Sequence, residues 1–478
     1  MKFVGRKQQL DELSAAVEHV AATGQGTMMA LRGRRQVGKS RLVTEFVRQS
    51  ARPHVFFTAI KNASPAQQML AFQRDVFAST PPLPDGATLF SAPATDWTDL
   101  WARVQLAARS HPVIVVLDEV PWAIEKDETF EGRLQAAWDR DLQHQPILLL
   151  LIGSDLGMIE RLTAHDRPLY GRAKQLLVRA FSPGECSAAL GKSRSAMDVF
   201  DSYLVTGGYP RLVEGVARAG SAHDFVRTGL ADENSDFVVV GQRSLDAEFP
   251  PDAQARRVLS AIGSESVGDA TYSTSVARLG DTGTAARTAV ARGLDALRHK
   301  GVVAVDTPYG ASEHTKTTRY RVEDPYLRLW LRFVEPQLSA IARGRADLAI
   351  ASFEKSWTTW RGTAIEPTVR EALSRLLLDG VDEVGGWWNR DNSTEVDVVA
   401  GASKDITLIG SIKWRERKAF SSEELRQLAA ARSVIPGAES AALVAICPAG
   451  LKAGVAPDLS FDANNLLAAW DQGPTGCG

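Results

Sequence analysis

The chain of 478 residues is poor in cysteine. Cys186, Cys447 and Cys477 share no metal-ligand spacing and are too few for a disulfide framework, which points to a reduced, cytoplasmic setting. Long apolar runs are also missing. The longest, ILLLLIG at 147–153, falls far short of the roughly 20 residues that a membrane-spanning helix needs, so no membrane role is expected. The first residues, MKFVGRKQQL, read as a polar helix where a signal peptide would carry its apolar core. Net charge is nearly absent at −2, which excludes nucleic-acid binding through overall charge but not through a local basic face. There is no internal repeat and no low-complexity block. What remains, 44% apolar and 23% charged residues over this length, is the composition of a globular protein of two to four domains.

Residues 1–180 alternate short apolar runs with amphipathic stretches, the pattern of a parallel sheet covered on both faces. The expected strands are TMMALRG (27–33), HVFFTAI (54–60), VIVVLDE (113–119), ILLLLIG (147–153) and KQLLVRA (174–180). Residues 181–250 read as helices without strands. Residues 251–335 give helices near 253–263, 273–279 and 284–300, then a strand pair, VVAVDTP and TTRYRVED, which together describe a winged helix. A linker helix is expected over 336–360, a further α/β unit over 361–470 and a disordered tail at 471–478.

One motif carries defined chemistry. GRRQVGKS fits G-x-x-x-x-G-K-[ST] at Gly33, Gly38, Lys39 and Ser40, between an apolar strand and the helical SRLVTEFVRQ. Such a loop turns successive N–H groups, here from Arg34 through Arg41, toward phosphate at a helix N-terminus. Its lysine reaches the outer phosphates and its hydroxyl holds Mg²⁺. VIVVLDEVPW adds Asp118 and Glu119 at the C-terminal end of a strand, where open α/β sheets bind ligands. Asp118 suits support of the metal, and Glu119 suits polarising the attacking water. Ser154, after LLLLIG, could orient that water. Arg172, in RPLYGRA, is a candidate to sense the γ-phosphate in its own subunit or a neighbour's.

FVGRKQQLDEL, LRGRRQVGKSRL, VVLDEVPW, LIGSDLGMIERL, RPLYGRA and YLVTGGYPRLV follow one another in an order that resembles the archaeal-type ATPases, P-loop ATPases of the AAA+/STAND group. The resemblance continues through ALRHKGVVAVDTP and TRYRVEDPYLRLWLRFVEP. It implies a multidomain α/β protein: a P-loop NTPase sheet with a helical lid, a winged helix and a C-terminal domain like the PD-(D/E)XK restriction endonucleases. By the same resemblance Phe3, Val4 and Arg6 line the adenine side, and Gly207, Gly208, Tyr209 and Pro210 sit in the lid. ATP and Mg²⁺ are the implied cofactors.

The winged-helix stretch from Arg256 to Arg321 holds ten Lys and Arg against six Asp and Glu. Arg287 and Arg292 on its last helix, with Lys316 and Arg319 on the wing, suit contacts to DNA phosphates. The bland alternative is a protein-binding or spacer domain. On that helix Ala291, Leu294 and Leu297 are expected to face the core.

The C-terminal unit reads helix, strand, strand, strand, helix, strand. A nuclease of the implied type needs two carboxylates for Mg²⁺ and a lysine. Asp397 and Lys413 are in place, with Glu366 and Glu395 as further acids. However, where such strands read glycine, glutamate, a small residue, lysine, tryptophan, this chain has Gly410, Ser411, Ile412, Lys413 and Trp414. A hydroxyl replaces a carboxylate poorly at a divalent cation, so a degenerate nuclease fold is expected.

The resulting expectation is a slow, Mg²⁺-dependent ATPase whose nucleotide state controls DNA or protein binding by the C-terminal half. The alternatives are an ATP-regulated nuclease acting on foreign DNA and a nucleotide-binding regulator without turnover. Partner identity and oligomeric state are not written in the sequence.

Overall fold

The computed structural model describes residues 3–153, 165, 167–250, 253–268, 270–280, 283–311, 317–402 and 405–471. The chain divides into two compact units, Met1–Ala180 and Phe181–Gly478.

The first unit is built on five strands: β1 (Thr27–Arg32), β2 (His54–Thr58), β3 (Val113–Asp118), β4 (Ile147–Ile152) and β5 (Ala173–Leu177). They pair in the order β2-β3-β4-β1-β5, every pair parallel. Every residue of β3 and β4 is buried, which is why VIVVLD and ILLLLI are continuous apolar runs rather than alternating ones. The edge strands β2 and β5 are only partly buried. One face of the sheet is closed by an aromatic cluster. Trp97 stacks on Trp101 at 5.8 Å, and Phe130 meets Trp97 edge-on at 4.8 Å.

In the second unit residues 181–250 form five helices and, among the described residues, no strand. Two begin with reciprocal capping boxes, Ser182 with Glu185 and Ser195 with Asp198. Helices Gln254–Gly263, Tyr272–Arg278 and Thr284–His299 follow, then the antiparallel hairpin of β6 (Val303–Asp306) and β7 (Arg319–Val322), the element order of a winged helix. The expected core face of helix Thr284–His299 needs one correction. Val290, Leu294 and Leu297 are buried, whereas Ala291 is exposed. The inward stripe runs i, i+4, i+7 from Val290, so the larger side chain of the adjacent pair turns inward.

The aromatic segment Asp324–Trp330 ties the helices to this region. Tyr209 Oη donates to the Asp324 carboxylate at 2.6 Å, Tyr326 Oη donates to the Phe237 carbonyl at 2.6 Å, and Trp330 Nε1 donates to the Val238 carbonyl at 3.0 Å. The GGYP stretch expected in the lid therefore packs on Asp324 and Tyr326 within the second unit.

The last sheet holds β8 (Glu383–Trp388), β9 (Glu395–Ala402), β10 (Asp405–Ile412), β11 (Ala442–Ile446) and β12 (Leu459–Phe461). They pair in the order β12-β11-β10-β9-β8, antiparallel from β8 to β10 and parallel from β10 to β12. Helices Glu366–Leu376 and Ser422–Ala431 accompany the sheet. The open edge at β8 is met by both ends of the segment connecting β6 to β7: Tyr309 N donates to the Gly386 carbonyl at 2.8 Å, and Trp388 Nε1 donates to the Thr317 carbonyl at 2.9 Å. Of the expected tail, only Asp471 lies within the described residues. Among the described residues no helix is long and apolar enough to cross a membrane.

A buried ionic knot joins three parts of the second unit. Arg361 donates from one nitrogen to Asp201 and to Glu416, both at 2.9 Å, and its side chain is only 8% exposed. Burial raises the Asp201 carboxyl to about 6 despite the opposing pull of Arg361. Removing the cation strands a buried carboxylate. Arg361→Ala should therefore cost about 3–5 kcal/mol at neutral pH in urea unfolding followed by tryptophan fluorescence. Without Arg361 the Asp201 carboxyl titrates higher still, so the deficit relative to wild type should shrink as pH falls from 7 to 5 and Asp201 protonates. A loss below about 1 kcal/mol, or a deficit that grows on acidification, would contradict this account.

Candidate functional site

The first site forms where β1 must turn into a helix within a few residues. At Gly33 a Cβ would lie 2.1 Å from the Val178 carbonyl oxygen, so no other residue fits there. Gln36 (φ 64°) and Gly38 (φ 91°) are left-handed, which curls the loop before helix Lys39–Ser50. Val37 is buried as the loop's apolar anchor, while Arg34 and Arg35 are half-buried and Gln36, Ser40 and Arg41 are exposed. Lys39 is buried and donates to the carbonyls of Gly33 at 2.6 Å and Arg34 at 2.9 Å. Burial lowers its ammonium to about 8, against the pull of Glu119 and Asp118.

Strand β4 lies between β1 and β3, so the loop and the end of β3 stand two strands, about 10 Å, apart. The Ser40 hydroxyl is nevertheless close enough to the Asp118 carboxyl to lower it. Asp118 is buried. Burial raises its carboxyl, with the Ser40 hydroxyl and Lys39 acting the other way. Glu119 is half-buried and left-handed (φ 54°), a strained backbone for a residue with a side chain, of the kind that clusters at ligand sites. The structure thus brings Lys39, Ser40, Asp118 and Glu119 together at the C-terminal edge of the parallel sheet. Ser154 lies outside the described residues.

One expected member of this site stands elsewhere, and another holds the loop itself. Arg172 precedes β5, whose first residue, Ala173, pairs with Met28, while the phosphate loop follows Arg32, paired with Leu177. Arg172 therefore stands at the opposite edge of the sheet, about 16 Å from the loop along the strands. It makes a two-pronged pair with Asp139 at 2.7 and 2.8 Å. It cannot reach a γ-phosphate on its own subunit's loop, and that expectation is corrected. Arg6 is buried and donates to the Val37 carbonyl and the Arg179 carbonyl, each at 2.6 Å. It grips the loop's main chain, while Phe3 and Val4 are half-buried before it. Nothing local in the sequence announces this, because both partners are main-chain atoms, 31 and 173 positions away.

The second site lies between β9 and β10, beside a cavity of about 390 Å³ lined in part by Glu395, Asp397, Ser411, Lys413 and Glu424. Asp397 accepts from Ile412 N at 2.6 Å and Ser411 Oγ at 3.1 Å, with Lys413 at 3.9 Å. Glu366 pairs with Arg370 at 2.9 Å, and burial pushes its carboxyl up. Glu395 faces both terminal nitrogens of Arg319, at 2.8 and 3.2 Å. Among the described residues no group of three or more His, Cys, Asp or Glu could hold a metal.

Arg319 was expected as a wing contact for DNA. It is instead buried, lying 4.1 Å over the Trp388 ring and donating to Asn392 as well as to Glu395, which withdraws it from any phosphate. Arg287 and Arg292 are exposed on helix Thr284–His299, and Lys316 lies outside the described residues.

Two parts of the chain match known families. Residues 3–216 match the family described as an ATPase domain predominantly from Archaea, and residues 330–428 match a family of archaeal and bacterial proteins of unknown function. An uncharacterized protein of Methanocaldococcus jannaschii is 22% identical over 435 residues, 87% of this chain and 88% of its own. Among solved structures, the Walker-type ATPase of Pyrococcus abyssi is 17% identical, with 69% of this chain and 96% of that one covered at a TM-score of 0.47. The Aeropyrum pernix ORC2 protein is 13% identical, with 73% and 95% covered at a TM-score of 0.44. With its phosphate loop and its acidic strand end seated on one parallel sheet, the chain carries an archaeal-type ATPase domain within residues 3–216, and residues 330–428 match a C-terminal domain of unknown function.

Proposed function

We propose that this chain binds ATP with Mg²⁺ at the Gly33–Arg41 loop, hydrolyses it slowly, and uses the nucleotide state to control binding by its second unit. The observation that carries the reading is the contact of the Ser40 hydroxyl with the buried Asp118 carboxylate, beside Lys39 and Glu119. A hydroxyl and a carboxylate are the hard oxygen donors that Mg²⁺ takes, so the residues fit the ion. Few protein ligands are required, since Mg²⁺ usually retains waters and shares the substrate's phosphates. When bound, it would offset charge on the outer phosphates. Lys39 would exchange its two loop carbonyls for phosphate oxygens. The N–H groups from Arg34 to Arg41 would cradle the same phosphates, and Phe3 and Val4 would stand on the adenine side. Glu119 would accept a proton from the attacking water, with Ser154 orienting that water. Arg172 could act only on a nucleotide held by another copy.

The output reading is a DNA- or protein-binding switch. Exposed Arg287 and Arg292 support contact with duplex DNA, with Lys316 a further candidate. We do not assign cleavage to the C-terminal domain, because its carboxylates are already occupied by Ser411, the Ile412 amide, Arg370 and Arg319.

Steady-state ATP hydrolysis should fall at least about 100-fold in both Lys39→Ala and Glu119→Gln. Only Glu119→Gln should keep its affinity for ATP, measured by equilibrium titration. Turnover that survives both changes would overturn the assignment. Stimulation of wild type by double-stranded DNA would favour the DNA output, and indifference to DNA the protein output.

A second expectation concerns Asp397. Wild type should not cut duplex DNA in Mg²⁺. Asp397→Ala should lower stability by about 1–3 kcal/mol, because the Ile412 N–H loses its acceptor at a buried residue. Mg²⁺-dependent cleavage by wild type, abolished in Asp397→Ala, would restore the nuclease reading.

A further inference from the structure

We infer that Arg6 is a positioning residue for phosphate binding, acting through the main chain of the loop rather than on the adenine. The inference rests on the ATP-binding reading above and deepens it.

The peptide unit is planar, so the Val37 carbonyl and the Gly38 N–H belong to one rigid plane and point in opposite directions. Whatever fixes the Val37 carbonyl also aims the Gly38 N–H, one of the donors that a phosphate would meet. Arg6 Nη2 holds that carbonyl at 2.6 Å. Arg6 Nη1 holds the Arg179 carbonyl, also at 2.6 Å, so the fork is braced at its far end on the segment that follows β5. The neighbouring main chain reinforces the brace. Val178 N donates to the Arg32 carbonyl at 2.8 Å, and Gly33 packs against the Val178 carbonyl. The loop is therefore clamped at its entry by Val178 and near its exit by Arg6.

Two further features mark the position as built for this purpose. Gly5 and Arg6 are consecutive left-handed residues, at φ 74° and 64°, and that conformation is unfavourable for arginine. The strain turns the side chain inward from the start of helix Lys7–Thr23. The guanidinium is also buried, 4% exposed, and a planar fork is the group that can span two separate acceptors. Lysine offers a single point of attachment.

The test uses the full chain with ATP, GTP and inorganic tripolyphosphate as probes in equilibrium titrations. Wild type, Arg6→Ala, Arg6→Lys and Lys39→Ala are compared. Arg6→Ala should weaken all three probes by about tenfold or more, leaving the ratio of ATP to GTP affinity unchanged. Arg6→Lys should fall between wild type and Arg6→Ala for every probe, and it carries the test should the alanine variant fail to fold. Arg6 variants within twofold of wild type would overturn the inference. So would a loss confined to ATP with tripolyphosphate unaffected, which is the signature of an adenine contact. If wild type binds no ATP and Lys39→Ala is indistinguishable from it, the ATP-binding reading fails first and takes this one with it. Wild-type binding that depends on Lys39 but not on Arg6 removes this inference alone.

Discussion

A guanidinium stays charged at any ordinary pH and carries five N–H donors, so burying one obliges the chain to bring oxygen atoms to it. This protein buries several, and each stands where remote parts of the sequence meet. Arg6 joins the phosphate loop to the end of β5. Arg328, fully enclosed, donates to the carbonyls of Val322, Glu323 and Ala364, so a hairpin strand and two helices converge on it. Arg361 joins Asp201 and Glu416, and Arg319 joins the hairpin to the edge of the last sheet. Apolar burial supplies most of the stabilisation in such a protein, but it is tolerant of register and direction. The buried forks are not. Each accepts its partners in one geometry, and a slipped helix or strand leaves a charge without its oxygens.

The two kinds of partner differ in consequence. Where the oxygens are carbonyls, as for Arg328, the acceptors themselves carry no formal charge. Burial accordingly lowers the Arg328 guanidinium. Where they are carboxylates, as for Arg361 and Arg319, two charges leave water together and the pair is sound only while both remain. The carbonyl type fixes backbone direction, which is what a phosphate loop requires. The carboxylate type fixes the relation between elements, which is what the assembly of helices, hairpin and mixed sheet in the second unit requires.

What the sequence disclosed follows the same division. The strands of the first unit and the phosphate loop were legible because their signals are local: unbroken apolar runs for β3 and β4, and glycines at fixed offsets before Lys39 and Ser40. The order of elements in the last unit was legible for the same reason as far as β11, whereas the short β12 and the helix Ala463–Leu467 were not expected. Positions decided by distant partners were not. Arg319 reads as an exposed basic residue on a wing until Trp388 and Glu395, about 70 positions away, enclose it. Arg172 reads as a candidate to sense the γ-phosphate from its place in RPLYGRA, yet it precedes β5 and so takes the opposite edge of the parallel sheet from its own loop. Val290 and Ala291 differ by one helical step, which periodicity over a short helix does not resolve.

The C-terminal acids are already held by the protein's own groups. A metal site assembles carboxylates whose mutual repulsion is relieved by the ion, so it keeps competing cations away. Here relief is internal. Arg370 serves Glu366, Arg319 serves Glu395, and Asp397 is met by an amide, a hydroxyl and, more distantly, Lys413. With Ser411 where a carboxylate would stand, the negative charge left to attract Mg²⁺ is small, and the protein's own cations hold positions fixed by packing. An entering ion would have to displace arginines that also anchor the hairpin and the helix. The same contacts that occupy these acids therefore secure the fold around them, so metal binding there would require a change of structure rather than of one side chain.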